Sequence, residues 1–169
     1  MKPLRLPVIL IVIPLLMLAW SFEPVDQNAS AYTPVLMKRT DLPASVFFQQ
    51  ERDFFNPGKI YLYGDFIFIA DLFKGIHVID NSDPENPWKT GFIHIPGVMD
   101  LAIKDHVLFA DNAIDLISVD ISAYPQVTVL NRVEDVFPEA TPPDLDWIPW
   151  QFSKENRPPN TVIVAWEKK

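Results

Sequence analysis

One stretch of this chain is written twice at a spacing of forty residues, and no other feature restricts its fold as tightly. Asp65, Ala70, Asp71, Asp80 and Ser82 recur as Asp105, Ala110, Asp111, Asp120 and Ser122. Between these fixed points Ile67, Phe68, Ile69, Ile76 and Ile79 are answered by Val107, Leu108, Phe109, Leu116 and Val119. After a two-residue shortening Pro87, Thr90, Phe92 and Ile95 face Pro125, Thr128, Leu130 and Val133. A period near forty with several short β runs in each unit marks a blade-like β repeat.

The runs divide at turn signals. After Asn56-Pro57-Gly58 the first unit offers strands at Ile60–Tyr63, Phe66–Asp71, Ile76–Asp80 and Trp88–Ile95, with Asp65 and Gly75 at the bends. The second offers Met99–Ile103, Val107–Asp111, Leu116–Asp120 and Val127–Val133. The expected fold is therefore all-β, with two four-stranded blade-like meanders forming a partial β-propeller-like body. Residues 58–97 and 98–137 are the repeats of a domain spanning 32–137, and residues 138–169 form a Pro/Trp-rich C-terminal segment. Strands such as Phe66–Ala70 are apolar on both faces, which predicts cover on both sides. A lone blade cannot supply it. The two sheets must pack face to face, complete a ring with other copies as a homo-oligomer, or belong to a longer array.

Outside the repeats, Tyr32–Met37 reads as extended, and a short helix capped by Asp41 is expected to reach Gln50. Thr161–Trp166 reads as a strand able to pair with Tyr32–Met37 and cover a sheet edge. Between them a proline-rich loop carries Trp147 and Trp150, expected to cap an open end of the core.

At the N-terminus Lys2 and Arg5 precede a run from Leu6 to Trp20 without a charged or polar side chain. This is a basic region joined to an apolar one, and residues 1–21 read as a signal peptide with a leader helix. Pro7 and Pro14 and the short run weigh against a spanning helix, an uncleaved inner-membrane anchor being the alternative. Either reading exports the remainder to the periplasm, the outer surface or the medium, with the membrane touched only through the N-terminal segment.

Composition removes several function classes. The net charge of −8 disfavours phosphate backbones, so nucleic acid is not an expected partner. The absence of cysteine excludes disulfides, thiolate metal sites and cysteine nucleophiles. Seventeen prolines against five glycines predict stiff connections.

The segment Gly75-Ile76-His77-Val78-Ile79-Asp80-Asn81-Ser82-Asp83-Pro84-Glu85-Asn86-Pro87 resembles the LVIVD repeat, a hydrophobic strand ending in Asp followed by Ser-Asp-Pro-x-x-Pro. The second copy, Leu116–Ser122, keeps the strand and the serine but continues as Ala123-Tyr124-Pro125. The wider stretch from Asn56 to Pro138 is similar to the N-terminal part of exported LVIVD-repeat proteins of Bacteroidetes-type bacteria. That resemblance implies a β-propeller-like fold on an exported, surface-associated protein and supplies no catalytic residues. Many such relatives carry a lipid-modified cysteine, which this chain lacks. The signature residues Asp71, Asp80, Ser82, Pro84, Pro87, Asp111, Asp120 and Ser122 read as a fold signature: Asp80 and Ser82 hydrogen-bond turn amides, and Pro84 and Pro87 set turn φ angles.

Candidate chemistry is sparse. Asp71, Asp80, Asp111 and Asp120 would bind a hard cation only by gathering at one rim, and capping their own turns is the expected role. The run Asp80–Gly91 lacks the glycine and glutamate of an EF-hand. His77, His94 and His106 read as exposed or satisfied strand positions, and Asp144 with Asp146 and Glu134 with Asp135 as solvated loop acids. No catalytic, cofactor or metal site is assigned. The expected function is a non-enzymatic binding or interaction module at the bacterial cell envelope, with protein or glycan as partner. The alternatives are a shortened propeller paralogue with a structural role, or an enzyme built on a propeller rim.

Overall fold

A computed structural model describes residues 30–169; the predicted leader helix lies outside the described residues. The strands in chain order are β1 (Tyr32–Lys38), β2 (Phe47–Gln49), β3 (Pro57–Tyr63), β4 (Phe66–Asp71), β5 (Gly75–Asp80), β6 (Trp88–His94), β7 (Leu101–Lys104), β8 (Val107–Asn112), β9 (Asp115–Asp120), β10 (Thr128–Val133) and β11 (Thr161–Lys168). They form a five-stranded sheet in the order β2-β6-β5-β4-β3, a four-stranded sheet β10-β9-β8-β7 and a ribbon β1-β11. All pairings are antiparallel and no sheet closes. The all-β, partial propeller-like architecture expected from the repeat is present, each repeat forming one four-stranded meander.

The two meanders pack face to face. Phe68 and Ala70 of β4, Ile76 and Val78 of β5 and Ile93 of β6 share one buried cluster with Leu101, Ile103, Leu108, Ala110, Ile117 and Val119 of the second sheet. At roughly 1.5–3 kcal/mol for each large side chain removed from water, this cluster is the main source of stability. The edges are stitched by tyrosines. The Tyr61 hydroxyl donates to the Ile103 carbonyl at 3.0 Å, and the His106 amide donates to the Tyr63 hydroxyl at 3.0 Å.

The second repeat differs from the first by one residue of register. Phe66 pairs with Asp80 in β4-β5, whereas Val107, one place further along than a strict forty-residue shift, pairs with Asp120 in β8-β9. Because side chains alternate between faces, a one-residue slip sends sequence-matched residues of β5 and β9 to opposite sides. Ile76 is buried while its counterpart Leu116 lies on the outer face with Asp111; Ile79 lies on the outer face while Val119 is buried.

Other expectations need correction. The segment expected to be helical from Asp41 to Gln50 holds a 3-10 turn at Pro43–Ser45 and then strand β2, which pairs with β6. Sheet pairing for Phe47–Gln49 outcompetes the weak local helical preference. Strands β1 and β11 do pair, with a bulge between Val35 and Leu36, but they form their own ribbon and extend neither sheet. Val162 and Val164 bury against Leu42 and Ile114, placing the ribbon across the β8-β9 turn, while Lys74 approaches Glu167 at the β4-β5 turn. Cover on both faces of the first sheet is incomplete: Ile67 and Ile69 are half-buried, and Ile60 and Leu62 are 66% and 65% exposed. Trp147 and Trp150 do not cap the core, being 52% and 79% exposed.

The link between repeats runs over Gly97, whose φ of +82° is unfavourable for other residues. A Cβ there would stand 2.6 Å from the Ala113 backbone. Gly64 also has a positive φ, +57°, but open space around it. Gly97→Ala is expected to cost clearly more than Gly64→Ala, which carries only the left-handed penalty of about 1–2 kcal/mol. Paired urea melts would measure the difference, and equal losses would contradict this packing of the linker.

Candidate functional site

The signature aspartates fall into two pairs at opposite strand ends. Asp80 and Asp120, at the ends of β5 and β9, accept the amides of Ser82 and Ser122, each at 2.8 Å. They cap their own turns as expected, and Ser82 contributes its amide. Asp83 adds two bonds, from the Glu85 amide at 3.1 Å and the Asn86 side chain at 2.8 Å, across the turn that contains Pro84 and Pro87. Asp71 and Asp111, at the ends of β4 and β8, act differently. Asp71 accepts the amides of Phe55 and Asn56, at 3.1 and 2.6 Å, and Asp111 those of Met99 and Asp100, at 3.0 and 2.8 Å. Each holds the chain leading into the first strand of its own repeat, rather than capping its own turn. The four carboxylates therefore share no rim. Among the described residues no group of three or more metal-ligating acids and histidines is found.

The turn sequence that departs from the motif in the second repeat has a packing role. Tyr124, in place of the usual turn residues, packs on the common core and shares a 2.9 Å hydrogen bond with Thr90.

Two buried polar clusters were not legible beforehand. His77 is fully buried in β5, its Nε2 3.3 Å from Asp71, its ring 4.1 Å from Phe54 and 4.8 Å from Phe92, and its Nδ1 has no partner. It is neither exposed nor fully satisfied, unlike His94, whose Nδ1 lies 2.8 Å from the Ser45 carbonyl. Burial is the main force holding the His77 pKa below its ordinary value, with Lys89 and Arg52 adding to it and Asp71 opposing. In the second sheet the buried Asp115 pairs with Arg39 at 2.7 Å and Arg132 at 2.6 Å, and accepts the Asp135 amide at 3.1 Å. Arg132 also donates to Asn112 at 2.8 Å. Burial alone would raise the Asp115 pKa; the bonds from Arg132 and Arg39 outweigh it and hold the carboxyl below the usual range. Glu134 and Asp135 are exposed, as expected of solvated loop acids, and both also face Arg39.

One cleft stands out by shape. About 540 Å³ in volume, it lies between the ribbon, the β8-β9 turn and the C-terminal loop, with Phe73, Met99, Phe137 and Ile163 as apolar walls and Asp111 and Asp146 as acids. Its size falls in the usual range for ligand sites. Phe137, tied by its amide to the Ile114 carbonyl at 2.9 Å, also bounds a shallower hollow with Ala102, Phe109 and Leu116 on the outer face of the second sheet. Cleft and hollow adjoin at Phe137 and Asp111, which line both. Burial pushes the Asp111 carboxyl up, against the pull of its amide bonds. Glu139, also lining the cleft, is paired with Arg157 and accepts the Ile163 amide.

Loss of stability in acid should follow two windows. His77 and Asp115 both have folded pKa values below their unfolded ones, so each contributes stability that is complete above the unfolded value and lost as pH falls. For His77 the loss starts below about 6.5, and for Asp115 below about 3.8. Urea midpoints measured from pH 8 to pH 3 should fall in both windows. His77→Phe should flatten only the upper one; an unchanged upper slope in that variant would contradict the buried-histidine assignment.

Residues 57–91 match the family described as LVIVD repeat, covering β3 to β5 and the start of β6. No curated protein and no solved structure matches the chain. The first meander of this β-repeat protein is thus built on an LVIVD repeat, the signature seen in Asp80, Ser82, Pro84 and Pro87.

Proposed function

We propose that this β-repeat protein is an exported, non-enzymatic binding module that engages a protein or glycan at the bacterial cell envelope. The observation that carries the reading is how the cleft's acids are used. Of the three acids that line it, Asp111 accepts the Met99 and Asp100 amides and Glu139 is paired with buried Arg157, which supports a non-enzymatic role, while Asp146 stands exposed. What remains for a partner is apolar: Phe73, Met99 and Phe137 in the cleft, continued by Phe109 and Leu116 on the sheet. Such a surface recognises by shape and desolvation, with Asp146 and backbone groups setting orientation. The export part rests on the basic and apolar N-terminal run and on the resemblance to exported repeat proteins.

An array of envelope glycans and peptides probed with the labelled protein tests the reading. Ligands should be retained unchanged, and Phe137→Asp should weaken binding by about tenfold or more, as truncation of a central aromatic contact does. A ligand that is chemically converted, or binding indifferent to Phe137→Asp, would overturn it.

A further inference from the structure

The C-terminal loop displays two exposed tryptophans, Trp147 and Trp150, and hydrogen bonds brace its backbone at Pro149 and Trp150. Pro149 lies between them, the Phe152 amide donates to its carbonyl at 2.8 Å, and the Trp150 carbonyl accepts from Asn156 Nδ2 at 2.8 Å and the Ser153 amide at 3.1 Å. The same loop holds the point where the described chain begins. Asp144 accepts the Ser30 hydroxyl at 2.8 Å and the Ala31 amide at 2.7 Å, and Lys169 Nζ donates to the Ser30 carbonyl at 2.8 Å. Asp144 is thus a clamp on the N-terminal segment, not a free loop acid. Only nine residues separate Ser30 from the uncharged apolar run ending at Trp20.

We infer that Trp147 and Trp150 form a membrane-interface contact, seating the body on the lipid surface beside the point from which its N-terminal segment emerges. The inference rests on the alternative reading of residues 1–21 as an uncleaved inner-membrane anchor, and extends it, because there only the N-terminal segment touched the membrane. Tryptophan suits this role: its large ring is apolar and its indole N–H is a donor, a combination that favours the headgroup level. The braced backbone at Pro149 and Trp150 lowers the ordering cost of insertion. Local charge is close to balanced, Asp144, Asp146, Glu155 and Glu167 standing against Lys154, Lys168 and Lys169, which suits a zwitterionic surface better than an anionic one. Trp88 offers an internal comparison. It is 60% exposed but pairs with Asp80 at the far end of β5 from the ribbon, a strand length of roughly 20 Å away.

The test uses the full chain carrying Trp20→Phe, which silences the tryptophan of the apolar run, reconstituted in vesicles of dibrominated phosphatidylcholine. Bromines quench indoles at the lipid surface. The parent should lose emission relative to plain phosphatidylcholine vesicles, Trp88→Phe should keep that loss, and Trp147→Phe/Trp150→Phe should abolish most of it. Both targets are exposed, so the double variant should keep the parent's far-ultraviolet spectrum and melt. Co-sedimentation with vesicles but equal quenching with and without the two tryptophans would overturn the contact alone. A chain that does not sediment with vesicles would overturn the contact and the anchor reading together. Iodide quenching of Trp147 and Trp150 undiminished by vesicles would also overturn it, leaving those rings for a glycan or a second copy.

Discussion

The structure depends on the mutual burial of two apolar sheet faces. Neither meander could persist alone, because an isolated small sheet cannot remove enough surface from water to offset the ordering of its backbone. Packed together, Phe68, Val78 and Ile93 on one side and Leu108, Ile117 and Val119 on the other share one cluster. The bonds of Tyr61 and Tyr63 to the second sheet and of Tyr124 to the first then fix how the two faces sit.

Buried charge also fixes the segments outside the repeats. Arg39 reaches Asp115 of the second sheet from the β1 side, while Arg157 meets Glu139 within the C-terminal segment and ties its loop to β11. Such pairs cost desolvation, and their net contribution over apolar packing is small. Breaking one partner leaves an uncompensated charge, which is expensive. They therefore specify where loops go more than they add stability. The cleft arises as a by-product: its walls come from the β4-β5 turn, the β8-β9 turn, the ribbon and the loop, brought together by these ion pairs and by the burial of Val162 and Val164 against Leu42 and Ile114.

Much of the fold was legible because the repeat carries its own punctuation. Asp-capped turns and alternating apolar runs located all eight strands of the meanders to within about three residues, since turn chemistry and strand periodicity act locally. The helix expected before Gln50 was not, because Phe47–Gln49 is drawn into β2 by pairing with β6, a contact more than forty residues away in the chain. Matching Ile76 to Leu116 was sound as sequence comparison and misleading as geometry. The shorter connection between β8 and β9, pairing Asn112 with Asp115, shifts the register, and no residue type announces that in advance. His77 reads as a strand position like any other, and the approach of Phe54 from an irregular segment, with Phe92 and Asp71 beside it, buries it.

Residue order by itself determined the two units, their strands and the turns closed by Asp80 and Asp120, since each of those depends on neighbours within a few positions. Tertiary structure decided which faces are buried, that Asp71 and Asp111 tie down incoming chain, and that Trp147 and Trp150 stand clear of the core. These outcomes turn on which distant surfaces meet and on a single residue of strand register. Both are set by the competition of whole sheets for burial, a quantity no local stretch of sequence contains.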